Sequence, residues 1–584
     1  TLDLDLRGPL TADADALRRT LTLAQHERRS AAIPVAAAGV GVADFFLRLT
    51  GPNTDEKQRM KLGIVSGAPD VYRRTVAPLI GGGNATISGD LLADFIPGTG
   101  SIAVSASPFG ALDAPALLLA LDRYPYGCSE QTVSRALPLL YANRLASIEN
   151  LGTDPDLDGR VKQAIERELS RQSANGAFGL WAADSGDDDP WLDAYVTDFL
   201  TRAREQKFVV PEGAFSQALD RLRNTVVNAP EPNKDNNAAL AYALYVLARN
   251  GRPVIGDLRY LSDAKLDAFA TPLAKAELGA ALAMLGDRAR AGKVIAAALT
   301  ALAAEKDSGY SRPDYGSKLR DAAAVLALVA EANPSAGDLP PDAILRAGAA
   351  VDAARADRRY TSTQEMGWMV LAAEALAEHG GLGAFTVDGD AVKGALNRRF
   401  GPAALTGKPV TIANTGSATA QFVTTVSGSP ITPEGAAANG YAIERSFYSL
   451  DGKKLDLKSL SQNERVVVAL KVTESEARYA KLLIVDRLPA GLEIDNPALV
   501  DGGSIEGFSW LTTDETPAHT EYRDDRFVAA FDRAPGQSAF INLAYVVRAV
   551  APGRYVWPPA TAEDMYAPER FGRTAFAELE VRAK

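Results

Sequence analysis

What this sequence is short of narrows the field first. It holds one cysteine in 584 residues, Cys128. A single thiol can close no intrachain disulfide and can build no CxxC metal cage. Histidine is nearly as scarce, with three residues, His26, His379 and His519. Positive charge is not in excess: 62 Lys+Arg against 73 Asp+Glu leave a net charge of −11 and an isoelectric point near 5.1. Phosphate backbones need a basic face, so a general nucleic-acid binder is excluded. No uninterrupted apolar run approaches ~20 residues, so no segment reads as a transmembrane helix. Aromatic residues make up only 7%, but 47% hydrophobic and 23% charged residues are ordinary for a globular chain. Wholesale disorder is therefore excluded. At roughly 100–200 residues per domain, the length predicts about three to five domains.

What is present falls into three textures. Residues 1 to about 107 read as β-rich, with strand candidates at Phe45-Phe46-Leu47-Arg48-Leu49 and Lys61-Leu62-Gly63-Ile64-Val65. Thr1-Leu2-Asp3-Leu4-Asp5-Leu6 alternates like a strand already under way and lacks the parts of a signal peptide. The expectation is that the numbering begins inside a longer protein. From about Ala111 to Gly383, alanine and leucine recur at helical spacing between Pro/Gly/Asp breaks. Helix pairs continued this long predict a solenoid or a closed α/α toroid. After Gly383 the β texture returns, with strands at 465–472, 481–486, 540–543 and 545–547 that read as a C-terminal β-sandwich. The short β-like segments 59–107 and 385–430 flank the helices and fit two halves of one β domain.

Cys128 sits in Arg123-Tyr124-Pro125-Tyr126-Gly127-Cys128-Ser129-Glu130-Gln131-Thr132. Gly127 suits a turn, and Ser129 with Glu130 suits a helix start. A cysteine at a helix N-terminus meets unpaired N–H groups and the positive end of the dipole, which favour thiolate. Gln131 is three residues on and faces the same side. A thiolate can then reach its side-chain carbonyl, and loss of ammonia would leave an internal Cys–Gln thioester. Taken alone, a lone cysteine is more often a small buried hydrophobe.

The neighbours reverse that reading. Pro125-Tyr126-Gly127-Cys128-Ser129-Glu130-Gln131 resembles the thioester motif of the α2-macroglobulin and complement superfamily, a Gly-Cys-x-Glu-Gln core after Pro-Tyr. Tyr126, Gly127 and Glu130 complete that motif, while Ser129 departs from the glycine usual in animal members. The resemblance covers the whole chain, and the absence of disulfides fits its bacterial branch. It implies a multidomain α+β chain: a partial macroglobulin-like β domain (1–58), a CUB-like β domain in two parts (59–107 and 385–435), an α/α toroid carrying the thioester (108–384), and a C-terminal macroglobulin-like β-sandwich (436–584). Ala562-Glu563-Asp564-Met565-Tyr566-Ala567-Pro568-Glu569 resembles the bacterial family's Met-Tyr loop. By that resemblance Tyr124, Met565 and Tyr566 cover the thioester formed by Cys128 and Gln131. The implied function is broad endopeptidase inhibition: a conformational change exposes the thioester, which bonds to amines of the trapped protease. The protein is then a monomeric trap and not an enzyme, without cofactor or metal. A periplasmic location, with an inner-membrane anchor upstream, and a peptidoglycan-synthesising penicillin-binding protein as partner are further implications. In some complement relatives a histidine redirects the site to hydroxyls; the corresponding stretch here is Asn233-Lys234-Asp235-Asn236-Asn237, which predicts direct attack by amines.

Three other readings compete. A cysteine-nucleophile enzyme needs a general base beside Cys128, and His379 is the only histidine of the helical region. A toroidal enzyme of terpene-cyclase or glycosidase type could use Asp184 and Asp187-Asp188-Asp189, and Gln172 to Trp181 faintly resembles that class's repeats, but such an acidic run usually marks a solvated turn. A thioester-independent scaffold or adhesion module of the cell envelope would share the fold.

Overall fold

The computed structural model describes residues 1–584 apart from 124–126, 150–156, 185–187, 234–236, 307–311, 333–338, 357, 359, 380–382, 393–395, 406, 498–504 and 506–515, and apart from the side chains of 123, 142–149, 378 and 379. The helical region begins with α1 (Ala114–Arg123), α2 (Ser129–Glu149), α3 (Leu157–Leu169), α4 (Pro190–Glu205), α5 (Glu212–Val227) and α6 (Asn237–Arg249). It continues with α7 (Ile255–Ala264), α8 (Pro272–Met284), α9 (Arg288–Ala304), α10 (Lys318–Glu331), α11 (Ala343–Arg355) and α12 (Thr363–His379). The even-numbered helices pack each on the next, and α12 packs back on α2, which closes the ring. The odd-numbered helices lie outside: α3 against α2, α5 against α4 and α6, α9 against α8, α11 against α10, and α1 against α12.

The two rings have different sequences because they meet different surroundings. α6 buries every side chain from Ala239 to Ala248, the mark of a helix enclosed on all sides. α5 buries only Phe215, Ala218, Leu219, Leu222 and Val226, a single stripe at helical spacing. Caps fix the starts of the inner helices. The side chains of Asp189, Thr271 and Ser317 accept N–H groups at the beginnings of α4, α8 and α10.

The toroid is an insertion. One four-stranded sheet runs in the order Leu396–Phe400, Ser101–Ser107, Ala420–Gly428, Val71–Leu79. A second has the order Asp390–Val392, Phe385–Val387, Val410–Asn414, Asn84–Ile87. Each draws strands from both sides of the helices, and together they enclose a core that includes Ile87, Ile102, Val104, Phe385, Leu396 and Ile412. At the N-terminal end, Thr54–Ile64 pairs along its whole length with Gly41–Gly51, from Gly51↔Thr54 to Gly41↔Ile64. The expected boundary at residue 58 therefore falls inside a paired strand. The first sheet ends at Ile64, where the hairpin register with Gly41 closes.

The C-terminal region is a sandwich. A six-stranded sheet is ordered Ala437–Asn439, Phe571–Arg573, Ala560–Asp564, Ala480–Arg487, Arg526–Arg533, His519–Tyr522. It faces a five-stranded sheet centred on Arg465–Glu474 and Phe540–Ala549. Successive residues of Ala480–Arg487 point to opposite faces. Leu482 and Ile484 enter the sandwich core, whereas Leu483 and Val485 join the core of the toroid. Val528, Ala530, Met565 and Tyr566 join them there. The sheet is thus buried on both faces, with its outer one seated on the helices.

Candidate functional site

The loop before α2 is held from below. Arg171 of the loop after α3 donates to the Gly127 carbonyl at 2.5 Å and pairs with Glu168 at 3.1 Å. The Ser129 N–H donates to the Leu180 carbonyl at 2.8 Å, and its hydroxyl donates to the Gly179 carbonyl at 2.7 Å. The Thr132 N–H donates to the Cys128 carbonyl at 2.8 Å. Cys128 is therefore the residue that caps α2, and Gln131 is its third helical residue.

Helix starts leave N–H groups without partners, and a capping box satisfies two of them reciprocally. The cap's side chain takes the N–H of the third residue, whose Glu or Gln takes the N–H of the cap. Both halves are present. The Cys128 N–H donates to Gln131 Oε1 at 3.4 Å, and the Gln131 backbone N–H faces the Cys128 sulfur. A thiol stands where serine or threonine usually sits. The same geometry that closes the helix end brings Sγ and the Gln131 side-chain carbonyl together. Cys128, Glu130 and Gln131 are all fully buried.

The cover comes from the C-terminal sheet. Gln131 Nε2 donates to Met565 Sδ at 2.9 Å. The Tyr566 hydroxyl donates to Glu130 Oε2 at 2.8 Å, and its ring meets Tyr315 edge-on with centroids 4.9 Å apart. Asp564 Oδ1 accepts the Tyr566 N–H at 3.1 Å, which shapes the turn. Glu130 is the hub: it also accepts from Thr363 Oγ1 at 3.1 Å, from Gln364 Nε2 at 2.9 Å and from the Ser134 hydroxyl. All four donors are neutral, and burial raises the Glu130 pKa despite them.

Residues 108–225 match the A-macroglobulin TED domain, and residues 440–569 match the bacterial α2-macroglobulin MG10 domain. The α2-macroglobulin of Escherichia coli (strain K12) is 32% identical over 96% of this chain and 35% of its own length. The crystal structure of the native E. coli protein from domain MG7 to the C-terminus has a TM-score of 0.84 at 31% identity, covering 100% of this chain and 94% of that one. This chain belongs to the bacterial α2-macroglobulin family. It spans about a third of the length of the curated relatives it matches. The structure of Salmonella α2-macroglobulin reacted with methylamine has a TM-score of 0.85 at 29% identity, over 100% of this chain and 38% of its own.

In the family's terms, the TED domain carries Cys128 and Gln131, and MG10 carries Met565 and Tyr566. The structure brings these four and Glu130 together; Gly127 lies beside them, half-buried. Tyr124 and Tyr126 lie outside the described residues. One expectation is overturned. Burial first, and then the charge of Glu130, push the Cys128 thiol well above its usual range, while the Gln131 N–H and Arg171 only partly oppose them. The helix N-terminus does not make a thiolate here, because removing the sulfur from water outweighs the dipole.

The described residues of the competing sites have other partners. Among the described residues no histidine bonds Cys128. His519 instead stacks on Trp181 of the TED domain at 4.3 Å, and the His379 side chain lies outside the described residues. Of the acidic run, Asp189 caps α4 and Asp188 pairs with Arg221 at 3.1 Å, while Asp187 lies outside the described residues. The segment from Gln172 to Trp181 is a tight loop that supplies the carbonyls under Ser129. Asn237 donates to the Ala268 carbonyl at 2.8 Å. Sequence reasoning missed Tyr315 and Arg171. Neither lies near Cys128 in the chain, and no local pattern ties them to it.

Proposed function

We propose that this chain is the reactive portion of a broad-spectrum endopeptidase inhibitor that bonds its target through a Cys128–Gln131 thioester. The reciprocal cap of Cys128 and Gln131 beneath Met565 carries this reading. The thiol attacks the Gln131 side-chain carbonyl, and Nε2 leaves as ammonia with the thiol's proton. Met565 and Tyr566 keep water from the resulting electrophile. Tyr124 belongs to the same cover by the family motif. Because the cover sits on another domain, a movement that separates MG10 from the toroid exposes the thioester. A lysine amine of the captured protease then attacks the carbonyl, the C–S bond breaks, and the sulfur leaves as thiol. One amide joins the two proteins, and the site is consumed, so the protein is a trap rather than a catalyst. That a Salmonella relative has been reacted with methylamine supports amine chemistry at such a site. The periplasmic location and a penicillin-binding-protein partner rest on the family resemblance.

Intact mass with thiol titration tests the reading. The native protein is expected to be roughly 17 Da lighter than its encoded chain, the mass of the ammonia lost, with no titratable thiol. Methylamine is expected to release one thiol. A free thiol and an unmodified Gln131 in carefully prepared native protein would overturn it.

A further inference from the structure

A cavity of about 890 Å³ opens between the TED and MG10 domains beside the reaction centre. Leu180, Trp181, Trp191 and Tyr315 are in its wall. Leu180 also holds the Ser129 N–H, so the wall comes within one residue of Cys128. Tyr315 is the partition. Its ring meets Tyr566 on one side and Trp191, at 5.4 Å, on the other. Its hydroxyl donates to Asp189 Oδ2 at 2.5 Å. Its backbone sits at φ +53°, a left-handed conformation uncommon for a bulky residue.

Tyr315 differs from the rest of the cover in its ownership. Met565 and Tyr566 belong to MG10 and leave with it, whereas Tyr315 belongs to the toroid and stays. The carboxylates of the wall differ too. Asp188 is paired with Arg221, Asp314 with Arg312 and Arg320, and Asp532 with Lys481. Among the described residues Asp189 is bonded to neutral donors, the Leu192 N–H at 3.0 Å, the Trp191 N–H and the Tyr315 hydroxyl, and Lys481 acts on it only through its charge. Among the described residues of the wall, it is the carboxylate with no ion pair to Lys or Arg.

We propose that Tyr315 is an inner gate to the thioester, and that the cavity behind it is a vestibule for small primary alkyl amines whose ammonium Asp189 receives. This rests on the thioester reading above. A small amine enters while MG10 stays docked; a lysine on a folded protein does not fit and waits for the domains to part. In its neutral form the amine attacks the Gln131 carbonyl, the C–S bond breaks, and the sulfur takes the proton that the nitrogen gives up.

The test uses the full chain with Tyr315→Ala and Asp189→Asn. Asparagine is as good a helix cap as aspartate, so α4 keeps its start. Thiol release is followed with methylamine and with hydroxylamine, which is neutral near pH 7. Adduct formation is followed with cytochrome c, whose lysines are held on a folded surface. Tyr315→Ala is expected to speed methylamine release roughly tenfold, with no gain in cytochrome c adduct. Asp189→Asn is expected to slow methylamine more than hydroxylamine. An unchanged methylamine rate in Tyr315→Ala overturns the gate, as does an equal gain with cytochrome c, which would mean that the domains had parted. Equal effects of Asp189→Asn on both amines overturn its role. Wild-type protein that releases no thiol sinks the thioester reading itself, and the gate with it.

Discussion

Replacing Tyr566 by phenylalanine removes one atom from the cover. The ring remains to pack on Tyr315, and only the hydroxyl that donates to Glu130 at 2.8 Å is lost. A hydrogen bond contributes about 0.5–1.5 kcal/mol net, and about 1.5–3 kcal/mol when it goes to a charged group. Glu130 keeps three donors, from Ser134, Thr363 and Gln364, so it is not orphaned, and the value where the two ranges meet applies. A loss of about 1.5 kcal/mol is roughly tenfold in an equilibrium constant. The fraction of molecules with MG10 undocked is therefore expected to rise roughly tenfold. The assay is covalent capture of cytochrome c without any protease, because its lysines need the open form. The same substitution made in a Glu130→Gln background measures the coupling between the two side chains. Two results refute the reasoning: capture no faster than wild type, or a Tyr566→Phe effect undiminished by Glu130→Gln. The second would mean that the hydroxyl acts somewhere other than Glu130.

The lock turn carries a pH dependence. Burial, with Asp564 alongside, pushes Glu563 from its ordinary 4.5 up to about 7. Below 4.5 the carboxyl is protonated folded or unfolded; between 4.5 and 7 only the folded form keeps the proton, so its effect on stability worsens as pH rises through that window. Glu563→Gln is expected to shrink the fall in Tm between pH 5 and pH 8, and an identical fall in both proteins refutes this. Inside the toroid, Arg202 is buried against Asp198 at 3.1 Å and Glu331 at 2.7 Å. Arg202→Met is expected to cost about 3–5 kcal/mol in urea denaturation, and a cost under about 1 kcal/mol would mean that the network is not load-sharing. On α11, a Cβ at Gly348 would meet the Phe109 ring at 2.2 Å. Gly348→Ala is expected to lose about 1–3 kcal/mol by overpacking, and an unchanged midpoint refutes that contact.

Local features were legible and distant ones were not. The Cys128-to-Gln131 spacing is a one-turn relation, so four letters carried it. The helical texture left a solenoid and a closed toroid both open, because ring closure depends on α12 meeting α2, which no periodicity encodes. The boundary at 58 falls inside Thr54–Ile64 because the first half of that strand, Thr54–Arg59, is polar and exposed, so only its second half reads as a strand. The thiolate expectation failed because sequence gives the helix end but not its depth. Glu130 looked like a helix-start carboxylate, and only the fold brings Thr363, Gln364 and Tyr566 to it. Asp189 looked like part of a solvated turn for the same reason. The Met565-Tyr566 cover was legible only through resemblance, since nothing in that loop alone points to Cys128.

Met565 lies 434 residues beyond Gln131 in the chain. A ribosome adding about 5–20 residues per second takes about 20–90 s to cover that distance. Through that interval the end of α2 can form, with its thiol and amide side by side, while its lid does not yet exist. Any acyl-sulfur bond closed then would stand in water. On the proposed thioester reading a durable one would close only after MG10 has seated, so the electrophile would mature last, and a chain cut short before Met565 would carry the pair without the means to keep it.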